Sequence, residues 1–126
     1  STYEKKIKVF LQQHQAEVDS LIRLKTQPDY AQMLVAELHK EEVKGFRPAL
    51  SVLLDHLDHI VKLIGVDHVG MGSDFDGIEA PPMELNGVED YPLVSKGLLE
   101  RGYSKKDIRK ILGGNFLRVF TAVQNP

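Results

Sequence analysis

Asp74 and Asp76 stand two residues apart in Gly70-Met71-Gly72-Ser73-Asp74-Phe75-Asp76-Gly77, where an apolar run gives way to a glycine-rich loop. A carboxylate at such a junction can take up a proton, orient a metal-bound water or ligate a cation. Asp and Gly are also ordinary turn residues, so spacing alone leaves chemistry and a plain turn both open. Asp74 is the candidate catalytic residue. Asp76 either shares its site or bonds the loop backbone. A second cluster, Asp55-His56-Leu57-Asp58-His59, resembles metal-ligand spacing. Yet Leu57 belongs to an apolar helix face and the charged residues flank it. Neither the zincin pattern nor its inverted form is present, so this stretch reads as a solvated helix flank. His68 alternates with Val69 and reads as structural. His14 and His39 fall on helices with no partner in view and read as packed or water-facing. Asn115, after Gly113-Gly114, reads as a helix cap.

The elements that must position these residues are mostly helical. Ser1 and Glu4 have capping-box spacing. Ile7, Phe10, His14, Val18, Leu21 and Ile22 recur at helical intervals, which predicts one amphipathic helix over residues 3–25. Pro28 breaks it. Asp29 can cap a second helix with Tyr30, Met33, Leu34 and Leu38 on one side. Pro48 suits the first turn of a third helix. Its apolar face is Leu50, Leu53, Leu54, Leu57, Ile60, Val61 and Ile64. Gly65 is placed to end it in a left-handed conformation. Residues 66–72 are partly β-branched and bounded by glycine, which predicts one buried strand. Residues 73–90 read as a loop, and 92–101 as a helix stopped by Gly102. Ser104 and Asp107 form another capping pair, and 115–123 is helical again. A lone strand cannot satisfy its backbone groups. The pattern therefore predicts an α/β fold whose remaining strands lie elsewhere.

Composition narrows the function classes. The 126 residues suffice for one ordinary core. Sixteen basic and 18 acidic residues are interspersed, for a net charge of −2, which argues against a nucleic-acid partner. No apolar run approaches the ~20 residues of a membrane span. The polar residues 1–8 carry no signal-peptide pattern, and compartment is left open. Cysteine is absent, so any metal site must use His, Asp and Glu.

Three ordered stretches together resemble the renal (membrane) dipeptidase family of zinc peptidases. The first runs from His59-Ile60-Val61-Lys62 through Gly70-Met71-Gly72-Ser73-Asp74-Phe75-Asp76-Gly77. The second is the loop Gly87-Val88-Glu89-Asp90. The third runs from Arg101-Gly102-Tyr103-Ser104 through Gly113-Gly114-Asn115-Phe116-Leu117-Arg118-Val119-Phe120. Residues 1–50 match less clearly.

The resemblance implies the C-terminal part of a (β/α)₈ TIM barrel. In that frame residues 1–49 form a helical connection, 50–77 a helix and the last barrel strand, and 78–126 a loop and the C-terminal helices. It also implies dipeptide hydrolysis at a binuclear zinc site, with Asp74 near the metal-bridging water. The family's zinc ligands and its substrate-binding Arg come from earlier strands and have no counterpart here. Since a barrel needs about 200–250 residues, the chain alone is expected to hold no zinc and to be inactive. An upstream barrel half, a dipeptide substrate and a homodimer are the implied partners. Two rival classes stand beside this one. A haloacid-dehalogenase-like phosphatase would use Asp74-Phe75-Asp76-Gly77 as its nucleophile loop, but Ile78 stands where that loop continues with Thr. A non-catalytic helical interaction module fits the helices but leaves the acidic loop unexplained.

Overall fold

A computed structural model describes residues 2–75, 77–78 and 80–124. The chain divides into two units, Ser1–Pro48 and Ala49–Pro126.

The first unit contains α1 (Thr2–Gln13), α2 (Gln15–Arg23), α3 (Pro28–Leu38) and α4 (Lys40–Lys44). The single helix expected over 3–25 is interrupted at His14, which has φ −99° and ψ 17°. No proline or glycine marks the place. The His14 ring packs on Phe10 with centroids 4.4 Å apart, so packing overrides a weak local preference. The capping pair expected at Ser1 and Glu4 falls on Ser1, outside the described residues.

The cap of α3 is Gln27 rather than Asp29. Pro28 opens the first turn, where a missing N–H leaves no gap. Asp29 lies in that turn, where a carboxylate complements the helix dipole. The buried stripe of α3 is Ala31 and Val35. The expected apolar side is largely exposed, Leu38 by 74%. Phe10, Val18, Ala31 and Val35 form the core of this unit.

The second unit contains α5 (Leu50–Ile64), α6 (Tyr91–Glu100), α7 (Lys105–Arg109) and α8 (Asn115–Gln124). Ala49 caps α5, and Pro48 precedes it instead of entering its first turn. Gly65 ends α5 at φ 84°, positive as expected, and Gly102, expected to stop α6, follows it at φ 88°. Leu54, Leu57, Val94, Leu98, Ile108 and Ile111 are buried together. Gly97 lets α6 approach α5 closely, since a Cβ there would lie 2.5 Å from Leu54 Cδ1. The Asp107 N–H donates to Ser104 Oγ at 3.1 Å, the capping contact expected at the start of α7.

The α/β class is not what forms. Among the described residues there is no strand and no sheet, so the reading of this chain as the last helix-and-strand unit of a (β/α)₈ barrel is overturned. Val66–His68 is a 3₁₀ turn, and Val69 after it takes extended angles, φ −112° and ψ 135°. The reason lies in the backbone groups. A strand must give them to a neighbouring strand, and here other groups take them. Asn115 Nδ2 donates to the carbonyls of Val66 at 2.7 Å and Val69 at 2.8 Å. Arg118 donates to the Asp67 carbonyl at 2.6 Å, and the Met71 N–H donates to the Ile111 carbonyl at 2.9 Å. The β-branched composition therefore marks burial of Val69 and not sheet pairing. Among the described residues no helix is long and apolar enough to cross a membrane.

Candidate functional site

Asp74 lies in the segment that leaves this clamp. Its two chain neighbours are anchored on one side chain, Tyr91, at the start of α6. The Tyr91 hydroxyl donates to Ser73 Oγ at 2.9 Å. The Tyr91 ring meets Phe75 edge-on, with centroids 6.3 Å apart at 80°. The Gly77 N–H donates to the Asp74 carbonyl at 3.1 Å, closing a turn. A Cβ on Gly77 would lie 2.1 Å from Asp74 Oδ2, so the carboxylate occupies space that glycine leaves. The Asp74 carboxylate is exposed and shares no hydrogen bond or ion pair with another described residue. Its oxygens can accept a proton or bind a cation. Asp76, the second candidate, lies outside the described residues.

The loop that follows is tied back to the helices. Glu84 Oε2 accepts from the Leu50 N–H at 2.8 Å, at the α5 N-terminus where donors lack helical partners. Asp90 accepts from the Asn86 N–H at 2.8 Å, and Leu85 is buried in the core. Sequence reading did not find Tyr91 or Glu84. Nothing in their local spacing signals a contact to Ser73 or Leu50.

The Asp55–His59 cluster has a different role from the one its spacing suggests. Arg101 pairs with Asp55 at 2.7 Å and Asp58 at 2.5 Å, and the Tyr103 hydroxyl donates to Asp58 at 2.8 Å. Partial burial raises the Asp58 pKa, but the bonds from Tyr103 and Arg101 outweigh it and hold the carboxyl below its ordinary 3.8. Burial first, and then the bond to Asp58, push the Tyr103 phenol up to about 12. The aspartates brace α5 to the end of α6. His56, His59 and His68 are exposed. Asn115 is buried and clamps two carbonyls rather than capping α8. Asp67 pairs with Lys110, whose bond holds the Asp67 carboxyl below its ordinary 3.8.

In the first unit the structure unites histidines that sequence reading kept apart. The His14 and His39 rings lie 4.1 Å apart. Glu17 contacts both, His14 Nδ1 at 2.6 Å and His39 Nε2 at 3.0 Å. One donor atom from each of His14, His39 and Glu42 can be chosen so that all lie within 4.8 Å of one another. It is the one such group of three found among the described residues. Asp74 belongs to no group of that kind, so the described residues of 66–78 do not by themselves fit the zinc centre that the family resemblance implies.

A family model described as membrane dipeptidase (peptidase family M19) matches residues 10–126. Dipeptidase aclJ of Aspergillus oryzae is 35% identical over 109 residues, which cover 86% of this chain and 24% of that protein. Dipeptidase verJ of Clonostachys rogersoniana is 42% identical over 77 residues, covering 61% of this chain and 20% of that protein. Dipeptidase ataJ of Aspergillus terreus is 44% identical over 75 residues, covering 60% and 18%. The chain thus spans no more than about a quarter of the length of these curated relatives. No solved structure matches it.

Proposed function

This chain belongs to the membrane dipeptidase family, peptidase family M19, and we propose that it is the C-terminal portion of a zinc-dependent dipeptidase in which Asp74 moves the proton. One observation carries the reading. Within the stretch that matches the family, an exposed carboxylate without a described partner sits between two residues anchored on Tyr91. In hydrolysis a water oxygen bonds to the peptide carbonyl carbon and the C–N bond breaks. Asp74 takes the water's proton and returns it to the departing amine, leaving two amino acids. Zinc, when bound, polarises a carbonyl and makes a water more acidic. Its donors would come from a segment upstream of these residues.

Two surfaces support such a segment. Ile60, Leu63 and Ile64 of α5 are exposed, as are Phe116, Leu117 and Phe120 of α8. Apolar surface of this kind marks an interaction face. The isolated chain should therefore be inactive and should self-associate. A stable monomer with a sharp cooperative melt, seen by sedimentation and calorimetry, would count against this.

The decisive test is Asp74→Asn in the full-length dipeptidase. It keeps the size of the side chain and removes its basicity. Losing a proton-transfer group costs on the order of 10²–10⁴-fold in rate. That loss should appear in kcat, with KM and zinc content little changed. Near-normal turnover would sink the assignment. Asp76→Asn should be much milder, and equal losses in both would point to collapse of the loop.

A further inference from the structure

The first unit contains a local pattern twice. His14-Gln15-Ala16-Glu17 opens α2 and His39-Lys40-Glu41-Glu42 opens α4. In both, the histidine stands at a helix break with bridge-region angles, φ −99° and ψ 17° at His14, φ −107° and ψ 30° at His39. In both, the glutamate three residues on donates its N–H to the histidine carbonyl at 3.0 Å. Residues three apart on a helix share a face, so each break presents one imidazole and one carboxylate together.

The two breaks meet. We propose that His14, His39 and Glu42 form a binding site for a divalent transition-metal ion of the Zn²⁺ type, with Glu17 orienting both imidazoles.

Glu17 bonds to both rings, through His14 Nδ1 at 2.6 Å and His39 Nε2 at 3.0 Å. A neutral imidazole that donates through one nitrogen presents the other as a lone pair. Carboxylate-held histidines of this kind are the usual ligands of transition metals. Phe10, 1% exposed, lies against both rings, at 4.4 and 5.7 Å, and gives the site an apolar floor.

Two imidazoles and one carboxylate, without thiolate, suit zinc and its neighbours better than calcium or magnesium, which favour all-oxygen shells. The donors fit within 4.8 Å of one another. A tetrahedral ion with bonds of about 2.0–2.1 Å needs ligand atoms roughly 3.3 Å apart. Glu42 is exposed and can close that difference by changing rotamer.

The test is calorimetric titration of the metal-free 126-residue chain with Zn²⁺, alongside its melting temperature. Single-site saturation and a raised melting temperature are expected. Glu17→Gln should weaken binding by about 10–100-fold, the usual loss for a group that holds a ligand in place. His14→Gln with His39→Gln should abolish it. His56→Ala with His59→Ala should leave the isotherm unchanged. A measurement without variants guards against misfolding. Ring signals in the NMR spectrum of the unmutated chain should shift with Zn²⁺ for His14 and His39, and not for His56, His59 or His68. Failure of the unmutated chain to bind would overturn the site, and so would shifts confined to the other histidines. In that case Glu17 is a hydrogen-bonded tie between two helix breaks and nothing more.

Discussion

The two units hold their reactive groups in opposite ways. In the first, His14, Glu17 and His39 are bonded to one another over a buried phenylalanine. In the second, the Asp74 carboxylate has no described partner, and its neighbours Ser73 and Phe75 are the residues whose side chains are tied down. A self-bonded cluster can be a complete site. A lone carboxylate on a supported loop is a site only when other groups finish it. The largest expected effect tests the support. In the full-length dipeptidase, Tyr91→Ala removes both contacts that flank Asp74, and misplacement by about 1 Å can cost on the order of 10²-fold. The loss should be in kcat. Tyr91→Phe keeps the ring contact and should cost less. Gly77→Ala should also lower kcat, because the new methyl displaces the Asp74 carboxylate. Unchanged kcat in Tyr91→Ala and Gly77→Ala would show that the loop is held by something else.

The next effect concerns the segment that replaces the expected strand. Asn115→Ala leaves the Val66 and Val69 carbonyls without their donor. A buried polar group left unsatisfied costs about 1–3 kcal/mol. Urea unfolding should show a loss in that range, and no measurable loss would mean that water replaces the amide.

That segment also shows where sequence reasoning stops. Helices whose ends carry local chemistry were legible: α5 stops at Gly65, α6 is followed by Gly102, and α7 starts at Ser104. That no strand forms at 66–72 was not, because pairing depends on what lies beside it, and Asn115 is 46 residues away from Val69. Asp74 was singled out as a candidate by its place between an apolar run and a glycine loop. Tyr91 was not, since no local spacing ties it to Ser73. The paired histidines had one available signal, the repeated His-x-x-Glu spacing, and nothing in sequence says that the two copies meet.

A smaller effect separates the units by pH. Asp58 has a folded pKa below its ordinary 3.8. Its contribution to stability is complete above that value and is lost as pH falls through the lower folded one. Tyr103 moves the other way, from 10.0 to about 12. Its contribution is complete below 10.0 and is lost as pH rises towards about 12. In the first unit Glu17, depressed from 4.5, supplies an acid limb of the same sign. The advantage of the native chain over Tyr103→Phe in melting temperature should therefore shrink between pH 10 and 12. Parallel curves across that window would break the brace argument.

The smallest effect comes from how the units end their helices. Gly65 and Gly102 take φ 84° and 88° at no steric cost, whereas the turn after α2 puts Lys25 at φ 65°. The bonds there belong to the backbone. The Lys25 N–H donates to the Ile22 carbonyl at 2.9 Å and the Thr26 N–H to that of Leu21 at 3.2 Å, the pattern of a Schellman ending. Lys25→Gly keeps both. It relieves the roughly 1–2 kcal/mol that a Cβ costs in this conformation. It also adds freedom to the unfolded chain, which offsets about 0.5–1 kcal/mol. The net gain should lie between about 0 and 1.5 kcal/mol. Gly65→Ala should move stability the other way, since alanine gains the steric cost. Urea midpoints of the two variants should bracket that of the native chain. If Lys25→Gly unfolds at lower urea, the lysine side chain contributes more than its backbone angle costs.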